Sequence, residues 1–359
     1  MKLEVLKKDL RFAAGVARKK PFNCLIQVTN RCNMKCSFCD FWPNPAKGNS
    51  VDPPEHELSL QEFESIAEQL DRMGCFLVSI EGGEPLIRKD IVDVVRILSR
   101  RHITALFTSG WHMTPEKARE LFAAGLTHAS VSIDYPDARH DQKRRIAGTR
   151  DRAWEAVDML KAAAPRGGKQ VNVMTVILDS NWQSLGELFE QTKRRGVGQQ
   201  VTLLSTMGTR RVSSAEDRLP PPEAATKLAS LWKQYPHVRF FREYFDVMQT
   251  FLEFESLRDH DGTLPRAVAE KLPTCRAGAQ SFNIDHLGNV SSCIERIGKP
   301  VGSIREHSLE TLHRRLVAEG AEIAACQQCW TACRGFQQAI GDGGSVKNWL
   351  DMSLRTRTD

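Results

Sequence analysis

The chain has 359 residues, enough for one large domain with a smaller one beside it or for two of middling size. Its composition is that of an ordinary soluble globular protein, 41% hydrophobic and 26% charged, and a net charge of +6 gives no reason to expect a nucleic-acid partner. No apolar run is long enough to span a membrane, and the N-terminus lacks the apolar core and cleavage site of a secretory signal.

The first twenty residues are locally basic (Lys2, Lys7, Lys8, Arg11, Arg18, Lys19, Lys20), with Leu3, Leu6, Leu10 and Ala14 on one helical stripe. The pattern predicts a surface helix over 1–20. Its sharper reading is peripheral contact with an anionic membrane surface or an acidic partner. Short apolar runs then alternate with amphipathic stretches, the signature of parallel βα units. Strands are expected at 25–29, 76–80, 104–108, 129–133, 171–177 and 201–205. Helices are expected at 59–73, 90–101, 115–124, 151–163, 182–195 and 222–234. Thr114 and Pro115 suit a helix start, and Gly125 a helix end. These units make one domain over 21–235. A loop over 206–222 carries Arg210 and Arg211, basic enough to bind an anionic group but more simply a solvated surface. A helical bridge over 236–274 has Phe245, Met248, Phe251, Leu252 and Phe254 as packing residues. A small cysteine-rich domain over 275–340 and a tail over 341–359 complete the chain.

Eight of the ten cysteines fall in two groups with metal-ligand spacing, which favours metal binding in the reducing cytoplasm over disulfides. Cys32, Cys36 and Cys39 form C-x3-C-x2-C directly after the first strand. Three thiolates on one short loop can hold three irons of a cubane cluster and leave the fourth open. A zinc knuckle would need a fourth ligand, and only His56 is near. Gly82-Gly83-Glu84-Pro85 follows the second strand, its glycines allowing close backbone approach to a ligand. In the second group, Cys275 and Cys293 bracket a predicted β-hairpin that turns at 285–289. Cys326, Cys329 and Cys333 follow as C-x2-C-x3-C. Cys24 and Cys75 border apolar strands and read as core residues.

The triad, the GGEP motif after strand two, Ser132-x-Asp134 ending strand four and His140-Asp141-x-x-Arg144-x-x-x-Gly148 together resemble the radical S-adenosylmethionine (SAM) superfamily over most of the chain. The resemblance implies a partial (β/α)6 TIM-like barrel with an open lateral mouth for substrate. It also implies a [4Fe-4S] cluster whose open iron chelates SAM, and cleavage of SAM to a 5′-deoxyadenosyl radical that abstracts a substrate hydrogen. Carried over by motif, Phe38 packs near the adenine. Gly82, Gly83, Glu84 and Pro85 face the methionine ammonium. Ser132 contacts SAM, and Asp134 lies near ribose or substrate. Arg144 pairs with the SAM carboxylate, with Arg145 and Arg152 as rivals. Thr108-Ser109-Gly110 replaces the more usual Thr-Asn-Gly, with Ser109 toward a ribose hydroxyl.

The C-terminal cysteines resemble SPASM and twitch extensions. Five are too few for two fully ligated clusters, so one auxiliary [4Fe-4S] cluster is expected. Cys275, Cys293, Cys326 and Cys329 are the first choice of ligands. Cys333 is left as a further ligand, a buried thiol or a hydrogen donor, and zinc is the competing occupant. Only 31 residues precede Cys32, fewer than a leader-binding domain needs. The expected substrate is therefore a small molecule: a sugar, nucleoside, natural-product intermediate or lipid-linked group, oxidised or rearranged. Peptide modification is the alternative. A flavodoxin- or ferredoxin-type protein is the expected reductant. A plain iron–sulfur electron carrier would explain the cysteines but not GGEP or the six βα units.

Overall fold

In the computed structural model of the chain, residues 21–39, 52–165, 170–205, 217–258, 264–341 and 348 are described. The basic segment 1–20, Arg210, Arg211 and nearly all of the 341–359 tail lie outside the described residues.

Six parallel strands alternate with helices along the first two-thirds of the chain. They are β1 (Asn23–Gln27), β2 (Leu77–Glu81), β3 (Ile103–Thr108), β4 (His128–Ser132), β5 (Gln170–Ile177) and β6 (Gly198–Leu203). Between and after them come α1 (Leu60–Met73), α2 (Ile91–Ser99), α3 (Pro115–Ala123), α4 (Arg139–Arg144), α5 (Thr149–Ala163), α6 (Leu185–Arg195) and α7 (Glu223–Gln234). This is the expected partial (β/α)6 barrel. Local chemistry sets the helix ends. Ser59 and Glu62 form a reciprocal capping box that opens α1, and Gly74 closes it in the left-handed region. Thr114 caps α3 through the Lys117 amide, with Pro115 at its first position.

Strand alternation divides the sheet into two faces. Cys24, Ile26, Val78, Ile80, Leu106, Ala129 and Val131 join Phe63, Ile66, Leu70, Val94 and Leu98 of the helices in one continuous core. Each such valine, leucine, isoleucine or phenylalanine contributes about 1.5–3 kcal/mol of burial. Asn23, Leu25 and Gln27 face the other way, into the barrel.

The C-terminal region is built into the same sheet. The predicted hairpin forms from β7 (Ser281–Ile284) and β8 (Asn289–Ser291), and Asp285 Oδ1 accepts the amides of Leu287 and Asn289 in its turn. β7 also pairs in parallel with β1, and β9 (Gly302–Ser303) completes the order β6-β5-β4-β3-β2-β1-β7-β8-β9. The cysteine-rich region therefore shares backbone hydrogen bonds with the barrel rather than hanging from it.

Six further helices were not individually expected or were only sketched as a bridge: α4 within the barrel, then α8 (Arg242–Phe254), α9 (Arg266–Ala269), α10 (Leu309–Ala318), α11 (Gly320–Ala325) and α12 (Ala332–Gly341). The packing residues expected in the bridge are found in α8, where Phe245, Met248, Phe251 and Leu252 are buried and Phe254 is half-buried. Tyr244 of α8 locks the second cysteine segment onto β6. Its hydroxyl accepts the Leu203 amide at 2.9 Å and donates to the Trp330 carbonyl at 3.1 Å. Trp330 Nε1 donates back to the Tyr244 carbonyl at 2.8 Å, and the rings stack.

α12 lies at the side where an open lateral mouth is expected. The Ala332 amide at its start donates to Thr202 Oγ1 of β6, and Gln337 Nε2 further along donates to Ser281 Oγ of β7. The helix thus bridges the edge strand β6 to β7, across the side a six-stranded barrel would leave open. Gly335 permits this, since a Cβ there would stand 2.2 Å from Cδ2 of Tyr244. Among the described residues no helix is long and apolar enough to cross a membrane.

Candidate active site and second cysteine centre

The loop bearing Cys32, Cys36 and Cys39 leaves the C-terminal end of β1, where parallel α/β folds place their ligand sites. Its first residues are pinned from two sides. From β2, the Gly83 amide donates to the Thr29 carbonyl and the Glu84 amide to the Arg31 carbonyl, both at 2.8 Å. A Cβ on Gly82 would lie 2.5 Å from the Thr29 oxygen, and one on Gly83 only 2.2 Å from the Arg31 oxygen. The two glycines, expected to let backbone approach a ligand, let it approach the cysteine loop.

From the other side, buried Glu57 accepts Thr29 Oγ1 at 2.5 Å and Nε and an Nη of Arg31 at 3.0 Å. Arg88 donates to the Val28 and Leu58 carbonyls at 2.9 Å and lies 3.7 Å from Glu57. Glu57 and Arg88 were missed by sequence reasoning. Single charged residues beside a loop carry no periodic signal.

Glu84 is 1% exposed, and its carboxylate accepts four bonds: from Thr108 Oγ1, the Ser109 amide, Ser109 Oγ and the Leu86 amide, at 2.6–3.0 Å. It ties the β2 loop to the β3 loop. The Ser109 hydroxyl, expected at a ribose, donates to Glu84. Glu84 keeps electrostatic reach of the triad. The Cys32 thiol is pushed up first by burial and then by Glu84.

Asp134, expected near ribose or substrate, sits just after β4 beside Arg144. It is fully buried and its carboxylate is committed. Oδ2 takes Nε and Nη2 of Arg144 at 3.1 and 2.7 Å, and Oδ1 takes the Val176 amide at 3.0 Å. A buried carboxylate needs such a partner. Arg144 was expected at the SAM carboxylate. It has two of its donors on Asp134, stands over the Phe38 ring at 5.2 Å and bonds the Cys36 thiol. That thiol is pushed up to about 12 by burial, with Arg144 pulling against the rise.

Phe38 lies in a small cluster with Met34, Cys36 and Tyr135, against which Cys32 and Cys39 pack. Pro85 is buried at the start of a short 3-10 turn, and Ser132 is half-buried on the inner face of β4. Of the rivals to Arg144, Arg152 is committed to the Trp111 and Met113 carbonyls and to Glu155, while Arg145 is exposed.

His140 accepts the Asp134 amide at Nδ1 and is fully buried. Burial, then the Arg144 charge, lowers its pKa to about 4 from 6.5. The native state holds it neutral while the unfolded chain protonates below about 6.5. Its stability contribution is therefore complete above that pH and declines as pH falls toward 4. Denaturation midpoints measured from pH 7 to 4 are expected to fall by the equivalent of about 3 kcal/mol more for the wild type than for His140→Asn. An equal decline in both proteins would remove the assignment.

The second centre gathers residues from three segments. Cys275 precedes the hairpin, Cys293 follows β8, and Cys326 and Cys329 follow α11. Burial raises the thiols of Cys275, Cys293 and Cys329, the last to about 12, and the cysteines then raise one another. Cys293 feels Cys329 and Cys275, Cys329 feels Cys275 and Cys326, and Cys275 feels Cys326. Each of these four thiols is therefore within electrostatic reach of at least one of the others. Cys333, in the first turn of α12, lies with Cys329 in electrostatic reach of the Tyr244 hydroxyl.

Both thiol sets suit a multi-iron cluster. Thiols lifted by burial become thiolates only against a bound cation. The buried polar atoms without partners, which occur throughout the described residues, include Nδ2 and Oδ1 of Asn33 and Oγ of Ser37 on the first cysteine loop. Those on the loop mark room for a polar group. Among the described residues no three His, Cys, Asp or Glu stand close enough to grip a single metal ion. Tetrahedral zinc would draw its sulfurs to about 3.8 Å of one another, whereas a cubane spreads its ligands around its corners.

Comparison with known proteins agrees with this geometry. The radical SAM superfamily profile matches residues 26–192. The mycofactocin maturase MftC of Mycolicibacterium smegmatis is 30% identical over 328 residues, covering 86% of this chain and 76% of that protein. Among solved structures, Streptococcus suis SuiB bound to its precursor peptide SuiA shares the fold with a TM-score of 0.61 at 15% identity, over 87% of this chain and 70% of that one. The structure of anSMEcpe with bound AdoMet gives 0.61 at 15% identity, over 93% and 97%. The chain therefore belongs to the radical SAM superfamily, as a SPASM/twitch-type enzyme that uses S-adenosylmethionine and [4Fe-4S] clusters.

Proposed function

We propose that the enzyme oxidatively modifies a peptide or protein substrate. The observation that carries this is the similarity to a maturase over 86% of the chain. A precursor peptide bound to a protein of the same fold agrees with it. The small-molecule expectation rested on the number of residues before Cys32, and the relatives support the peptide reading better.

In this reading Cys32, Cys36 and Cys39 hold the SAM-binding cluster, and Cys275, Cys293, Cys326 and Cys329 hold one auxiliary cluster. When bound, the first cluster and SAM supply a 5′-deoxyadenosyl radical that abstracts hydrogen. The chain's own part is positioning. Gly82, Gly83, Glu57 and Arg88 fix the cysteine loop. Asp134 orients Arg144, whose remaining donors, together with Phe38, face the SAM side. Ser132 lines the inner wall. A flavodoxin- or ferredoxin-type protein serves as reductant.

The test is anaerobic co-expression with the short peptides encoded beside the gene, read by mass spectrometry. Loss of a hydrogen pair from one peptide is expected, abolished by Cys32→Ala. Reconstituted protein should carry about eight irons, as two cubanes require. If every peptide stays unchanged while a sugar or nucleoside drives 5′-deoxyadenosine formation, the peptide reading is wrong.

A further inference from the structure

Each cysteine set has a buried arginine beside it, and the two arginines are neutralised differently. Arg144 has Asp134. Arg334, on α12 one residue after Cys333, is 4% exposed. It donates to the Cys329 carbonyl at 2.9 Å, to the Pro273 carbonyl and to Gln327 Oε1, and its guanidinium stands over the Trp330 ring. These acceptors are all neutral. Among the described residues no carboxylate forms an ion pair with Arg334, and its Nε–H is buried without a partner. A cation so placed is strongly unfavourable unless an anion completes it.

We propose that Arg334 is the counter-cation of the second cysteine centre and holds that centre's reduction potential above the value its four thiolates alone would give. The inference rests on the reading that Cys275, Cys293, Cys326 and Cys329 hold an auxiliary [4Fe-4S] cluster.

The placement is specific. Arg334 bonds the segment two residues before Cys275 and the segment from Cys326 to Cys329, so it sits where the ligand strands meet. Its field lowers the Cys275 and Cys329 thiols against burial. Other charges in reach are Glu295, which raises Cys293 and Cys329; Arg296, which lowers Cys275 and is itself paired with Glu322 at 2.7 Å; and Arg258, which donates to the Gln327 carbonyl and is paired with Glu255 at 2.6 Å. Net charge and hydrogen bonding around a cluster set its potential. At the first centre the Arg144 charge is cancelled by Asp134; Glu84 adds negative charge near Cys32 as Glu295 does near Cys293 and Cys329, so the uncancelled charge of Arg334 is what distinguishes the second centre. The chain thereby makes an added electron easier to hold at the second centre than at the first.

The test uses the full chain, reconstituted anaerobically, with Cys32, Cys36 and Cys39 changed to alanine so that only the second centre is read. Redox titration followed by electron paramagnetic resonance compares this parent with Arg334→Gln and Arg334→Lys, and iron is counted in each. The glutamine variant is expected to titrate at lower potential with iron content unchanged, and the lysine variant to stay with the parent. Iron lost from the glutamine variant alone also supports a required charge at this position. An unchanged midpoint in an iron-loaded glutamine variant overturns the inference, as does iron lost from both variants. A parent that takes up no iron overturns the cluster assignment, and this inference with it.

Discussion

Gly83→Ala is expected to lower reductive SAM cleavage by about 100-fold or more while the second centre keeps its iron. The new methyl would lie 2.2 Å from the Arg31 oxygen, 2.6 Å from the Arg31 carbonyl carbon and 2.9 Å from the Asn30 oxygen. All three are backbone atoms, so no rotamer change relieves the contact. The loop carrying Cys32 must move, and the bond from the Glu84 amide to the Arg31 carbonyl goes with it. Overpacking of this kind costs about 1–3 kcal/mol. The larger effect is on geometry, since a misplacement of about 1 Å in a reacting group can cost two orders of magnitude in rate. Gly298→Ala is the control, because a Cβ there meets nothing within 4 Å. Measuring 5′-deoxyadenosine and iron in both variants decides the matter. Wild-type cleavage by Gly83→Ala would show that the loop tolerates displacement.

The six βα units were legible because their signals are local. Alternation gave the strands within one to three residues, and Thr114 and Gly125 marked the ends of one helix through a side chain and the lack of one. The hairpin was legible for the same reason, as its turn chemistry lies in five consecutive residues. Its parallel pairing with β1 was not. Nothing in Ser281–Ile284 names a partner so distant in sequence. The role of α12 was hidden likewise, since it depends on Thr202 and Ser281 meeting one helix from opposite edges.

At the site, spacing placed both cysteine sets but not the working of the residues around them. Glu84, Ser109 and Asp134 are polar groups at the ends of inner strands, where a ligand is the simplest partner to imagine. Burial imposes a stricter rule. Each must be satisfied by the protein, and each is, by a neighbouring loop or by Arg144. Sequence shows which polar residues reach a site. Only the fold shows which of them also hold the loops and Arg144 in place.

Asp134→Ala follows from that rule and should be among the most destabilising substitutions in the barrel, at about 3–5 kcal/mol. The carboxylate is fully buried, so its attraction to Arg144 is little screened, and its removal leaves a guanidinium that is 7% exposed facing no anion. Oδ1 also holds the Val176 amide, which would lose its acceptor. Removing both charges should be milder, because Arg144→Met takes away the stranded cation and fills similar volume. The double variant Asp134→Ala/Arg144→Met is therefore expected to be more stable than the sum of the single losses by about 1–3 kcal/mol. Anaerobic denaturant titration of the four proteins closes the cycle. Additive losses would mean that the pair is not coupled, and that Arg144 is held by Phe38 and the Cys36 loop rather than by Asp134. A coupled cycle with weakened SAM binding in Asp134→Ala alone would place Asp134 behind Arg144, as the residue that aims it.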